Sequence, residues 1–288
     1  MDKPSPSRPT SLSNILVATD FSSASLIALH YALGIVRQFG ATLYLTHVVS
    51  NPADAAQAWR EGQRLTTDLL VSGELRGIAH KLVVGHGEIW EGLSPIVKEH
   101  QIDMIVVGTH GRTGLAKMLL GSVAERIFRN ASTPVLTVGP NSIPRGAGEG
   151  GVQNILYATD FTPQSLAAAD YAFSLAHQYQ ARLTLLHVIV AEPADPDTRK
   201  TMVQDAETRL KKIIPGDLPL QHEPKCVVTF GAAGSGILAI AAKDSPDLIV
   251  LGVTQPGEGT LAGRRWTNAA EVTGKAACPV LTIRGQAS

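Results

Sequence analysis

The sequence predicts an α/β protein built from two tandem, open, five-stranded parallel-sheet domains, and two observations carry that expectation. The first is an internal duplication. Asn14-Ile-Leu-Val-Ala-Thr-Asp-Phe-Ser recurs as Asn154-Ile-Leu-Tyr-Ala-Thr-Asp-Phe-Thr, and Thr133-Pro-Val-Leu-Thr-Val recurs as Cys278-Pro-Val-Leu-Thr-Ile. The offset is 140 at Asp20/Asp160 and His47/His187, 144 at Gly87/Gly231 and Asp103/Asp247, and 145 at the closing strands, so the second copy gained a few residues on the way. Copies of this length exceed the roughly 20 to 50 residues of solenoid repeats, and each is long enough to close its own core. The second observation is the alternation, within each copy, of short apolar runs with longer segments of helical spacing, the pattern of a parallel sheet covered by helices on both faces.

In the first copy the expected strands are Ile15 to Ala18, Thr42 to Val49, His80 to Val84, Met104 to Val107 and Val135 to Val138. In the second they are Ile155 to Ala158, Arg182 to Val190, Lys225 to Phe230, Leu248 to Leu251 and Val280 to Ile283. Ser22 and Thr162 stand where helix N-caps belong, and Pro163 follows in a first turn, where its missing N–H costs nothing. The helix after Ser22 should dock through Leu26, Leu29, Leu33 and Val36, which share one face at helical spacing.

Domain limits follow from composition. Residues 1–13, with Pro and Ser but no apolar core, read as a flexible tail, 14–139 as the first domain, 140–152 as a Gly- and Pro-rich linker, and 153–285 as the second domain. The chain has 288 residues with 25 basic and 25 acidic side chains, so no bulk charge draws it to nucleic acid or to an acidic membrane. No apolar stretch reaches the roughly 18 to 20 residues of a membrane span. Cys226 and Cys278 fall at or in strand-like runs and read as buried thiols in a reduced, cytoplasmic protein.

The chemistry-bearing stretch is Val106-Val-Gly-Thr-His-Gly-Arg-Thr-Gly-Leu-Ala-Lys-Met-Leu-Leu-Gly-Ser. Gly108, Gly111, Gly121 and Ser122 are spaced G-x2-G-x9-G-S between a strand and a helix, where backbone N–H groups and the positive helix end can receive anionic oxygens. The pattern is neither the P-loop nor the dinucleotide fingerprint. Plain turn glycines are the competing explanation. In open parallel sheets ligands gather at the carboxyl ends of the strands, and Asp20 and Val48 fall there with the glycine loop. Asp20 contacts a ribose, caps the following helix, or does both. His47 and His187 read as hydrogen-bonded structural residues, Trp59 and Trp90 as packing residues, and His110 and Arg112 as loop side chains within reach of phosphates or of solvent.

With these residues in place, the chain resembles a tandem universal stress protein over nearly its whole length. The resemblance rests on Ala-Thr-Asp-Phe-Ser, on His-Val after the second strand, on Val-Gly-Thr-His-Gly-Arg-Thr-Gly and on the glycine spacing. It implies a flavodoxin-like, adenine nucleotide alpha hydrolase-like sheet of order 3-2-1-4-5 and ATP or AMP bound by the first copy, with Mg2+ accompanying the nucleotide. By matching position it assigns that ligand to Ala18, Thr19, Asp20, Val48, Gly108, Gly111, Arg112, Gly121, Ser122 and Val123. It also implies a pseudo-dimer through the last strand of each copy, and it leaves room for a homodimer.

The second copy departs from the motif. Gly252 is followed by Val-Thr-Gln255-Pro, and the Gly-Ser pair is replaced by Trp266-Thr267. Asp160, Val188, Gly252 and Thr267 therefore outline either a weaker nucleotide or nucleoside pocket or a structural pseudo-subunit. No catalytic set and no metal cluster are read. The expected function is a nucleotide-responsive stress-response regulator, and the alternatives are a nucleotide-independent interaction scaffold or a slow ATPase.

Overall fold

The computed structural model describes residues 11–109, 121–139, 142, 151–216, 218–253 and 268–285. The chain divides into two compact units, with the boundary between Gly151 and Val152. Ten residues of the expected tail and most of the expected linker lie outside the described residues.

The first unit runs β1 (Asn14–Ala18), α1 (Ser23–Phe39), β2 (Thr42–Val49), α2 (Ala55–Val71), β3 (His80–His86), α3 (Ile89–Glu99), β4 (Met104–Gly108), α4 (Ser122–Asn130) and β5 (Val135–Val138). Its strands are ordered β3-β2-β1-β4-β5, and each pairing between neighbours is parallel. Right-handed crossovers then place α1 and α2 on one face and α3 and α4 on the other. Because both faces are covered, the strands are continuous apolar runs: Ile15, Leu16, Val17, Ile105 and Val106 are fully buried.

The second unit repeats the plan with β6 (Asn154–Ala158), α5 (Pro163–Ala167), α6 (Ala169–Tyr179), β7 (Arg182–Ile189), α7 (Pro196–Lys212), β8 (Lys225–Phe230), α8 (Ala233–Asp244), β9 (Leu248–Val253), a helix α9 described over 268–275, and β10 (Val280–Arg284). Its parallel order is β10-β9-β6-β7-β8.

Local chemistry sets the element limits. Ser22 caps α1, its hydroxyl accepting from the Ser25 N–H, and Gly40 ends that helix at φ +63°, donating its N–H to the Val36 carbonyl. Thr162 caps α5 in the same way, with Pro163 in the first turn. At the position matching Gly40, Gln180 adopts the left-handed conformation, φ +54°, which a side chain tolerates at a cost of roughly 1 kcal/mol.

One carboxylate fastens the entry of each unit. Asp103 Oδ2 accepts from the backbone N–H of Ser13 and Asn14 at 2.7 and 2.9 Å, and Asp247 Oδ2 does the same for Gln153 and Asn154 at 3.0 and 2.9 Å. The recurrence of this aspartate in both copies thus has a structural cause.

Several expectations need correction. Of the four residues expected to dock α1, Leu29, Leu33 and Val36 are buried but Leu26 is only half-buried, and Ser25, Ala28 and Ala32 complete the contact face. The small residues let the helix come close to the sheet, a stripe that large-residue spacing alone does not reveal. The third strand runs two residues beyond Val84, whereas β7 stops at Ile189 and leaves Val190 70% exposed. Trp59 is 44% exposed on α2 and is not a packing residue. Cys226 is half-buried and Cys278 buried, both as free thiols, and burial pushes the Cys278 thiol up to about 12. Among the described residues no helix is long and apolar enough to cross a membrane.

Candidate functional site

The sharpest local feature is the turn that follows the first strand of each unit. The chain leaves β1 at Ala18, and the Thr19 N–H still bonds to the Thr46 carbonyl at 2.9 Å, which keeps it beside β2. Phe21 then adopts φ +60°, a conformation that a bulky residue holds only when its surroundings force it. The constraints are visible. The Phe21 N–H donates to Thr19 Oγ1 at 3.0 Å, that hydroxyl meets Ser25 Oγ at 3.0 Å, and Asp20 Oδ1 accepts from the Ser22 N–H at 3.1 Å.

His47 completes the brace. Its Nδ1 lies 2.6 Å from the Thr19 carbonyl, which can only accept, so Nδ1 carries the proton, and its ring contacts the Phe21 ring at 5.0 Å between centroids. The second unit reproduces every part. Phe161 has φ +61°, its N–H donates to Thr159 Oγ1 at 3.0 Å, His187 Nδ1 donates to the Thr159 carbonyl at 2.8 Å, and the ring contact is 4.5 Å. The histidines are structural residues that hold a strained turn. Asp20 is not the helix cap, since Ser22 has that role; its Oδ1 sits one step earlier, closing the turn. Sequence reasoning missed Phe21 and Phe161, although the identical Thr-Asp-Phe in both copies was the signal.

Burial pushes the His187 imidazole below its ordinary value; the bond to the Thr159 carbonyl opposes this and the Arg209 charge adds to it. The native histidine therefore stays neutral where the unfolded chain, with an imidazole near 6.5, takes up a proton. The stability it provides is full above about pH 6.5 and is lost as pH falls toward its lowered native value. Urea midpoints of the second unit should drop on acidification through this window, and less steeply in His187→Gln; equal slopes in the two proteins would refute the assignment.

Around this turn the strands end together. Ala18 pairs with Thr46 on β2 and with Val107 on β4, so Asp20, Val48 and Gly108 lie at one end of the sheet. Val48 is half-buried against α3, where its Cγ1 stands 2.6 Å from the place a Cβ on Gly92 would occupy. Gly108 faces the first turn of α1: a Cβ there would meet the Ala24 carbonyl oxygen at 2.9 Å. The Gly121 N–H donates to the Thr109 carbonyl at 2.6 Å, which ties the start of α4 to the end of β4. Gly121 is the N-cap of α4 and supplies no side-chain bond to its first turn, in which Ser122 and Val123 are exposed. An ion pair joins Arg126 of α4 to Glu88, the N-cap of α3. Gly111, Arg112 and Thr267, with His110 and Trp266, lie outside the described residues.

In the second unit Asp160, Val188 and Gly252 converge on a cleft of about 80 Å³ between β6, β7 and β9, which Thr159, Ile237 and Asn268 also line. Asn268 is a residue that the sequence did not flag. It stands 145 residues after Val123, so an amide replaces a valine at the mouth of the second cleft.

An open parallel sheet with a cleft where the strand order reverses is the arrangement of ligand-binding doubly wound proteins. Comparison with known proteins makes this specific. The model of the universal stress protein family matches residues 12–139 and again 151–284, and the chain belongs to that family. A universal stress protein of Methanocaldococcus jannaschii is 36% identical over 141 residues, covering 43% of this chain and 80% of the relative. One of Mycolicibacterium smegmatis is 31% identical over 146 residues, and the match spans 44% of this chain and 45% of that one. The crystal structure of a universal stress protein from Archaeoglobus fulgidus aligns over 96% of this chain and 97% of its own, with a TM-score of 0.65 and 17% identity, which shows a shared fold.

Proposed function

We propose that the first unit binds an adenine nucleotide, ATP or AMP, and that the chain is a nucleotide-responsive regulatory protein of the stress response. The observation that carries this reading is Gly121. Its φ of −64° and ψ of 152° suit any residue, so backbone conformation gives no reason for glycine there. We read the glycine as keeping clear the space in front of the α4 N-terminus, whose first turn receives no side-chain cap from residue 121 and whose helix dipole favours an anion.

In this reading Asp20 receives ribose hydroxyls, Ala18, Thr19 and Val48 flank the adenine, and Gly108, Gly111, Arg112, Gly121, Ser122 and Val123 enclose ribose and phosphates. Mg2+ enters with the phosphates. Asp160, Val188, Gly252 and Thr267 form a weaker counterpart. The proposal includes pairing of the two copies through their last strands, a homodimer built on it, and a cytoplasmic home.

The test is to denature the purified protein, quantify any released nucleotide, and titrate the emptied protein with ATP by calorimetry. A single equivalent per chain is expected. Two equivalents would show that the second cleft is competent despite Trp266. No release together with no binding would overturn the proposal and leave an interaction scaffold.

A further inference from the structure

The two copies differ most informatively at the end of the sheet opposite the clefts. In the first unit that end is plugged. Tyr44, 5% exposed, stacks on His100 with ring centroids 4.8 Å apart and planes at 28°, and the Lys81 ammonium stands 5.4 Å from the tyrosine centroid. Tyr44 pairs with Lys81 in the β2–β3 register, and Thr184 pairs with Lys225 in the β7–β8 register, so threonine occupies the place of the tyrosine. Asp244, 144 residues after His100, stands where the stacking imidazole was. The lysine is retained while the ring and its stacking partner are both gone.

What replaces them is a cavity of about 560 Å³ at the amino ends of β6, β7 and β8. That lies within the roughly 300 to 1,000 Å³ of small-molecule sites. Its floor is the buried Leu156, which pairs with Thr184 across β6 and β7 and so shares the Thr184 face of the sheet. Its walls carry charge of both signs: Arg182, Glu223, and Lys225 paired with Asp244 at 3.1 Å. Space of this kind is ordinarily filled by neighbouring apolar side chains, because interiors pack densely. Here the space is kept and ringed by ions.

We propose that this cavity binds an aromatic α-amino acid as a free small molecule. The ligand's ring takes the volume that Tyr44 fills in the first unit, lying on Leu156 with the Lys225 ammonium over its face, a cation–π arrangement. Its carboxylate meets the Arg182 guanidinium, whose planar fork suits two parallel hydrogen bonds, and its ammonium meets Glu223. Neutral apolar molecules leave these charges unanswered, and acidic molecules without an ammonium leave Glu223 unpaired. The site is independent of the nucleotide reading, because it shares no residue with the cleft around Asp160 or with the first-unit residues assigned to the nucleotide.

The experiment titrates the whole protein with free tyrosine and phenylalanine, and with the deaminated 4-hydroxyphenylpropionate, by calorimetry and saturation-transfer NMR. Saturable binding of the amino acids is expected, at least tenfold tighter than that of the deaminated acid, a difference of about 1.4 kcal/mol. Thr184→Tyr refills the cavity as the first unit does; it should lose at least tenfold in affinity while ATP titration and the urea midpoint hold. Arg182→Gln, at an exposed position, provides a second variant if the first fails to fold, and it should weaken binding to a similar extent. No saturation of the wild-type protein at millimolar ligand, equal affinity for the deaminated acid, or unchanged affinity in either folded variant would overturn the proposal.

Discussion

Gly252→Ala is expected to destabilise the second unit by about 3 kcal/mol, near the top of the range for overpacking. The added Cβ would lie 2.3 Å from the Gln164 carbonyl oxygen and 2.4 Å from the Ser165 Cα. Both are backbone atoms of the first turn of α5, so no rotamer change relieves the clash, and the helix itself must move. Gly108→Ala in the first unit should cost less, about 1 to 2 kcal/mol, because its nearest approach is 2.9 Å, to the Ala24 carbonyl oxygen. Gly216→Ala is the reference, since a Cβ there meets nothing within 4 Å. Urea unfolding should rank the three in that order, and a Gly252→Ala midpoint equal to that of Gly216→Ala would show that the helix yields at no cost.

The same contact explains a pattern in the motif. The second copy keeps its first glycine, Gly252, but carries Gln255 and Trp266 where the later two are expected. Gly252 is required by the close approach of α5 whether or not a phosphate is present. Its survival therefore says nothing about nucleotide binding. The later two positions follow β9 in the sequence, and the α5 contact gives no reason for glycine at either.

This separation bears on how far the sequence could be read. The duplication and the apolar runs announced both sheets and their strands, because a parallel sheet buried on two faces leaves few polar positions to confuse the pattern. The caps Ser22 and Thr162 were equally plain, since their chemistry is local. What stayed hidden depends on approach distances and dihedral signs. Nothing in a phenylalanine announces φ +60°; only the braces from Thr19 and Asp20 after β1 and from His47 on β2 impose it. Leu29, Leu33 and Val36 of the α1 contact face were legible, whereas Ala28 and Ala32 beside them were not, because they carry little hydrophobic signal. Asn268 went unflagged because only the fold brings it beside Asp160 and Val188.

Gly121→Val should abolish nucleotide binding and leave the fold intact. Valine adopts φ −64° and ψ 152° without strain, and as an N-cap it forgoes no side-chain bond, since glycine supplies none. The stability cost should accordingly stay within about 1 kcal/mol, the spread among residues at such caps. In the proposed site, however, the branched side chain competes for the space before the first turn of α4, where the phosphates approach the backbone. Loss of that approach should weaken ATP at least about 100-fold, or some 2.7 kcal/mol. Ser122→Ala removes one hydroxyl donor to a charged group and should cost only about tenfold. Paired calorimetry and urea unfolding on both variants separate the effects. A stably folded Gly121→Val protein that binds ATP like the wild type would remove the α4 N-terminus from the site, and the glycine would then answer only to the 2.6 Å return of its N–H to Thr109.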